Sequence, residues 1–123
     1  MATILAVDDY PTTLKLLYYQ LRTNGYEVVT ASSAREALQR LADTHIDLAI
    51  LDIAMPDVNG IMLLHQIRAD ARFASLPVIM LTASGLDSDR EVAAGEGASA
   101  FLTKPVSSWE LVRVVSECLQ QAP

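Results

Sequence analysis

The chain has one cysteine, Cys118, and only two histidines, His45 and His65. A lone thiol excludes an internal disulfide and suits a reducing compartment. Neither histidine has a cysteine or carboxylate at metal-ligand spacing, so both read as surface residues. No uninterrupted apolar stretch is long enough to span a bilayer, which leaves no membrane-embedded role. The start, Met1-Ala2-Thr3-Ile4-Leu5, lacks the basic region and apolar run of a secretory leader, so the expected location is cytoplasmic. Basic residues are also scarce. Lys and Arg total 9 against 15 Asp and Glu, and the net charge of -6 opposes direct binding to nucleic acid or to an anionic membrane.

What remains is an ordinary globular composition. With 123 residues, 51% of them hydrophobic, the chain suits a single domain spanning 1–123, whose core needs no metal or disulfide staple. There is no repeat, low-complexity segment or internal linker. Two periods alternate along it. Thr3 to Val7 is a short apolar run that stops at Asp8-Asp9. Pro11 suits a first helical position, Leu14, Leu17 and Leu21 recur at helical spacing, and Asn24-Gly25 closes the run. Tyr26 to Thr30 reads as a strand, and Ser33 with Glu36 forms a capping box before Ala37, Leu38 and Leu41.

Leu48 to Leu51 is continuously apolar, as expected of a strand covered on both faces, and it ends at Asp52. The turn-rich Met55-Pro56-Asp57-Val58-Asn59-Gly60 leads into a helical pattern through Leu63, Leu64 and Ile67. Val78 to Leu81 follows Pro77 and ends at Thr82. A polar helical segment is expected over about Ser88 to Ala94, and a fifth strand over Ala98 to Leu102, closed by Thr103-Lys104-Pro105. Ser107 and Glu110 cap a last helix through Leu111, Val115, Cys118 and Leu119. Near its start Trp109 reads as partly buried, a partner-binding patch with Val112 being the other reading. Tyr18 and Tyr19 point to different sides of the first helix, so one at most is well buried.

Five strand–helix alternations argue for an α/β fold, a parallel sheet with helices on both faces and one crevice at the carboxyl ends of the strands. The polar residues gather at those ends. Asp8 and Asp9 end the first strand, Asp52 the third and Thr82 the fourth, while Lys104 follows the fifth. Carboxylates about 4 Å apart repel by roughly 4 kcal/mol at an effective dielectric near 20, and one lysine cannot neutralise three. A hard divalent cation can, and Mg²⁺ suits a site of one or two carboxylates, waters and a phosphate oxygen. Carboxylates also accept phosphoryl groups. These residues therefore predict a metal-and-phosphoryl site in which Asp52 is the nucleophile, Asp8 and Asp9 hold the metal, and Thr82 and Lys104 bind phosphoryl oxygens.

Asp8-Asp9, Asp52 followed by Met55-Pro56 and Gly60, Leu81-Thr82-Ala83, and Phe101 before Lys104-Pro105 together resemble the receiver domain of bacterial two-component response regulators, chemotaxis regulators included. The resemblance runs from Ile4 to the last helix. It implies a flavodoxin-like three-layer sandwich, with strand order 2-1-3-4-5 and five helices. It implies a phosphoacceptor switch and not a classical enzyme, one that assists only its own phosphotransfer and dephosphorylation. The donor would be a histidine kinase or histidine phosphotransfer protein. Downstream would lie a protein target or an output domain beyond this chain, with phosphorylation-dependent dimerisation through the fourth and fifth helices a family habit.

By the same resemblance Asp52 is the phosphoacceptor and joins Asp8, Asp9 and the Ala54 backbone carbonyl around Mg²⁺, for which Mn²⁺ is the substitute. Thr82 and Phe101 match the family's switch pair, and Lys104-Pro105 its cis peptide. Ala54 and Ser84 are small at two positions that influence phosphoryl hydrolysis, which leaves water access open. Tyr10-Pro11 departs from the more polar residues frequent after the acidic pair.

Other readings compete. A flavin module needs a hydroxyl- and glycine-rich loop after the first strand, where Asp8-Asp9-Tyr10-Pro11 stands. An aspartyl-phosphate phosphatase needs a second Asp two residues after its nucleophile, where Tyr10 or Ala54 stands. A receiver-like interaction module that is never phosphorylated, or a receiver fragment of a larger regulator or hybrid kinase, remains the alternative. Gln120-Gln121-Ala122-Pro123 reads equally as a tail or a severed linker.

Overall fold

A computed structural model describes residues 1–83 and 87–121, the side chains of 87–90 apart. Ser84 and the final Ala122-Pro123 lie outside the described residues. The order is β1 (Thr3–Val7), α1 (Pro11–Thr23), β2 (Glu27–Ala31), α2 (Ala34–Asp43), β3 (Leu48–Asp52), α3 (Gly60–Ala69), β4 (Val78–Thr82), α4 (Asp87–Gly95), β5 (Ala100–Thr103) and α5 (Ser108–Gln121). The strands form one sheet in the order β2-β1-β3-β4-β5, every neighbouring pair parallel. This is the flavodoxin-like order that the resemblance implied.

Side-chain parity along the strands divides the core in two. Leu5 and Val7, Ala49 and Leu51, Val78 and Met80 face one layer, where they pack with Ala37 and Leu41 of α2, Leu63, Leu64 and Ile67 of α3, and Ala93 of α4. Ile4 and Ala6, Leu48 and Ile50, Ile79 and Leu81 face the other, with Leu17 and Leu21 of α1 and Leu111, Val114, Val115 and Cys118 of α5. All five residues of β3 and of β4 are buried. That is why these two segments read as unbroken apolar runs.

The helix boundaries follow from capping chemistry. Ser33 Oγ accepts the Glu36 amide at 3.1 Å and Ser107 Oγ accepts the Glu110 amide at 3.1 Å, as the two capping boxes require. Gly25, at φ +91°, closes α1: the Tyr26 amide donates back to the Leu21 carbonyl and the Gly25 amide to that of Arg22. The same pattern closes α4, with Gly97 at φ +92° and the Ala98 amide bonded to the Ala93 carbonyl at 3.0 Å. Ala98 is consequently part of a helix cap, and β5 starts at Ala100 instead of Ala98.

Trp109 departs from its expected partial burial. It is 74% exposed, because Leu111, Val115 and Cys118 set the inward face of α5 and place residue 109 on the opposite side. The Arg113 guanidinium lies over its ring, 5.4 Å from the centroid. Val112 is half-buried, Tyr18 is half-buried and Tyr19 exposed, and both histidines are exposed. A single 3₁₀ turn, Ala71–Phe73, between α3 and β4 has no periodic signature in the sequence. Its capping residue Asp70 accepts the Arg72 amide at 3.0 Å.

Leu63 is fully buried and Leu16 is 53% exposed. Leu63→Ala is expected to lower the unfolding free energy by about 3 kcal/mol in urea titration, and Leu16→Ala by less than about 0.5 kcal/mol.

Candidate functional site

The carboxyl ends of β1, β3, β4 and β5 bring together side chains nearly a hundred residues apart in the chain. Asp8 directly follows β1, Asp52 and Thr82 are the last residues of β3 and β4, and Lys104 directly follows β5. Asp8, Asp52 and Thr82 are the buried polar residues among those described. Parity places Asp8, Asp52 and Lys104 on one side of the sheet, whereas Thr82 continues the alternation of Val78 and Met80 on the other. Asp8 continues the alternation of Ile4 and Ala6, Asp52 that of Leu48 and Ile50, and Lys104 that of Leu102, all in the α1/α5 layer.

The Lys104 ammonium stands between two acids, 2.9 Å from Asp8 Oδ2 and 3.2 Å from Asp52 Oδ1. Asp8, Asp9 and Asp52 each offer a carboxylate oxygen within 4.8 Å of the others, with Asp9 exposed at the rim. The Tyr10 amide donates to Asp8 Oδ1 at 2.9 Å, and the Ala54 amide faces the Asp52 carboxylate and favours its charged form. Lys104 is tied to β4 through its own amide, which donates to the Thr82 carbonyl at 2.8 Å. The Lys104-Pro105 bond is cis. Phe101, paired in register with Met80, is half-buried against the α2/α3/α4 layer, and Ala54 is exposed.

Burial pushes the Asp52 carboxyl up to about 6, and the neighbouring Asp8 charge adds to the rise against the opposing pull of Lys104. Burial draws the Lys104 ammonium down, but its contacts with Asp8 and Asp52 outweigh that and hold it above the ordinary lysine value. Apart from the ammonium, Asp8 Oδ2 and Asp52 Oδ1 accept no hydrogen bond. Three acids facing one ammonium leave a deficit of positive charge. Hard oxygen donors, two of them buried and short of partners, fit a small divalent cation.

The turn after Asp52 is built to close tolerances. A Cβ on Gly60 would lie 2.2 Å from the Asp52 carbonyl oxygen and 2.8 Å from its carbon, so only glycine lets α3 begin against the backbone of β3. The Gly60 amide donates to the Ile53 carbonyl at 3.0 Å, and Asn59 caps α3 by accepting the Met62 amide at 2.9 Å. Asp57 takes a left-handed conformation at φ 63°. Sequence reasoning did not find the Tyr10 and Ala54 amides. Backbone donors leave no mark on residue identity, since any residue but proline supplies one.

Residues 4–116 match the response regulator receiver domain family. The chain is 40% identical to the transcriptional regulatory protein GlrR of Escherichia coli over 98% of its own length and 27% of GlrR. It is 32% identical to protein PilH of Pseudomonas aeruginosa over 97% of its length and 98% of PilH. In structure it is similar to the chemotaxis protein CheY4 of Vibrio cholerae, with a TM-score of 0.92, 30% identity, and coverage of 96% of this chain and 98% of that one. The chain therefore spans nearly all of some relatives but only about a quarter of GlrR and about half of others, such as PhoP of Bacillus subtilis.

A parallel five-stranded sheet with an acidic cup and a lysine at its carboxyl edge defines a signalling receiver. The protein belongs to the response regulator receiver domain family, the regulatory module of two-component systems.

Two outcomes follow from this geometry. Gly60→Ala forces Asp52 and α3 apart and is expected to cost more than about 2 kcal/mol, read by chemical denaturation. The pH dependence follows from Asp52. Its folded value of about 6 stands above the ordinary 3.8, so the folded chain binds more protons than the unfolded chain between them. This contribution to stability is fully present below 3.8 and is lost as pH rises through about 6. Without divalent cation, Asp52→Asn is expected to melt above wild type at pH 7.5, with the gap narrowing at pH 5. Equal gaps at both pH values in a thermal melt would contradict the assignment.

Proposed function

We propose that the protein is a phosphoacceptor switch of a two-component system, one receiver unit across residues 1–123 that works in the cytoplasm. The carrying observation is the Lys104 ammonium shared between Asp8 and Asp52 at one sheet edge. Among the described residues no helix is long and apolar enough to cross a membrane.

The donor is a phosphohistidine on a histidine kinase or phosphotransfer protein. An Asp52 carboxylate oxygen attacks phosphorus, the P–N bond to histidine breaks as the O–P bond forms, and the freed imidazole nitrogen takes up a proton. Such a transfer depends on position and charge compensation more than on covalent help. A carboxyl held near 6 is mostly ionised at neutral pH and stays nucleophilic. Lys104 already bridges the two acids and exchanges a carboxylate for a phosphoryl oxygen. The Thr82 hydroxyl, ending the adjacent strand, donates to another.

Asp8, oriented by the Tyr10 amide, would hold Mg²⁺ or Mn²⁺ together with Asp9, Asp52 and the Ala54 carbonyl, and the ion when bound offsets charge on the phosphoryl oxygens. Thr82 and Phe101 carry the change toward a partner-binding face. That face engages a downstream protein or a linked output domain, or pairs two copies through α4 and α5. Ala54, small and exposed, leaves room for the water that ends the signal.

Incubation with Mg²⁺ and acetyl phosphate, followed by intact mass measurement, tests this. Wild type is expected to gain one phosphoryl group, while chelator or Asp52→Asn abolishes the gain. An unchanged mass for wild type, or a gain that survives Asp52→Asn, overturns it.

A further inference from the structure

Helix α4 directly follows the strand that carries Thr82, yet among its described side chains only Ala93 is buried. Glu91, Val92, Ala94 and Gly95 are exposed. A helix with so small an apolar anchor needs another tether, since burial of one alanine contributes little. The tether lies at its carboxyl end. Arg68 on α3 donates from Nε and Nη2 to the Gly97 carbonyl at 3.1 and 2.9 Å, and from Nη1 to the Phe73 carbonyl of the 3₁₀ turn at 3.0 Å.

One guanidinium thus joins α3, the turn before β4, and the cap of α4. Its stem crosses Gly97 so closely that a Cβ there would stand 3.0 Å from Arg68 Nε and 3.3 Å from Cδ. One turn earlier on α3, His65 Nδ1 meets Glu96 Oε2 at 2.6 Å. Two adjacent residues past α4, Glu96 and Gly97, are therefore each held by a residue of α3. Two N–H groups of the planar guanidinium converge on the Gly97 carbonyl while a third reaches that of Phe73, an arrangement that lysine cannot reproduce.

We propose that Arg68 is a positioning residue whose clasp fixes the carboxyl end of α4, making Glu96–Gly97 a fixed point about which the helix turns. Any displacement arising at the Thr82 end then becomes a rotation about that point and not a translation across α3. The clasp itself stands on the contacts above; its use in signalling rests on the phosphoacceptor reading.

Amide hydrogen exchange on the whole chain separates the two. Without phosphodonor, Arg68→Met, which keeps the alkyl stem, is expected to raise exchange at Glu96, Gly97 and Ala98 by at least about tenfold, leaving β1, β3 and α1 unchanged. Arg68→Lys is expected to restore little of the protection. Unchanged exchange at the cap, a uniform rise across the chain, or full rescue by lysine overturns the clasp. With Mg²⁺ and acetyl phosphate, the wild-type cap is expected to keep its protection while exchange in the first turns of α4 changes. Loss at the cap equal to that in those turns overturns the fixed point. Absence of the phosphoryl mass in the same sample marks failure of the phosphoacceptor reading alone, and the donor-free comparison still decides the clasp.

Discussion

Repulsion between buried carboxylates organises this molecule. Asp8 and Asp52 sit at adjoining strand ends with almost no solvent, and Lys104 is the cation that makes their proximity tolerable. Neither the acids nor the ammonium is at home there: desolvation works against each, and only their contacts offset it. The sheet supplies the rigidity that keeps them together. Central strands buried on both faces cannot slip by one residue without sending every side chain into the opposite layer, so the acids hold their side of the sheet as firmly as the core holds its register.

The same economy shows in the connections. Asp8 is steered by the next residue but one and Asp52 by the amide two residues on, both through the main chain. Gly60 lets α3 start against the Asp52 peptide, and Lys104 is anchored through its amide to the strand carrying Thr82. Three connections, after β1, β3 and β5, thereby carry charged groups whose positions are set largely by backbone geometry. Sites built in this way resist drift because the supporting bonds belong to the fold itself.

Much of this could be read before any coordinates. The apolar runs of β3 and β4, the two Ser–Glu capping boxes and the acids closing each run are local signals with a physical cause, and the strand order came from family resemblance. What escaped was of three kinds. The Ala71–Phe73 turn lacks periodicity. The start of β5 depended on Gly97 taking a left-handed cap, which composition alone does not reveal. Trp109 was expected to be partly buried, but its helical register relative to Leu111 and Val115 turns it outward. The acidic cup was legible as residue types and order. The raised Asp52 carboxyl required knowing how completely the strands exclude water.

The hydrogen bond that orients Asp8 comes from the main chain of Tyr10, a residue that is itself 60% exposed. Orientation of the acid and identity of the neighbouring side chain are therefore independent variables. Evolution is free to exchange that exposed side chain for another while the main-chain bond that aims the acid stays undisturbed.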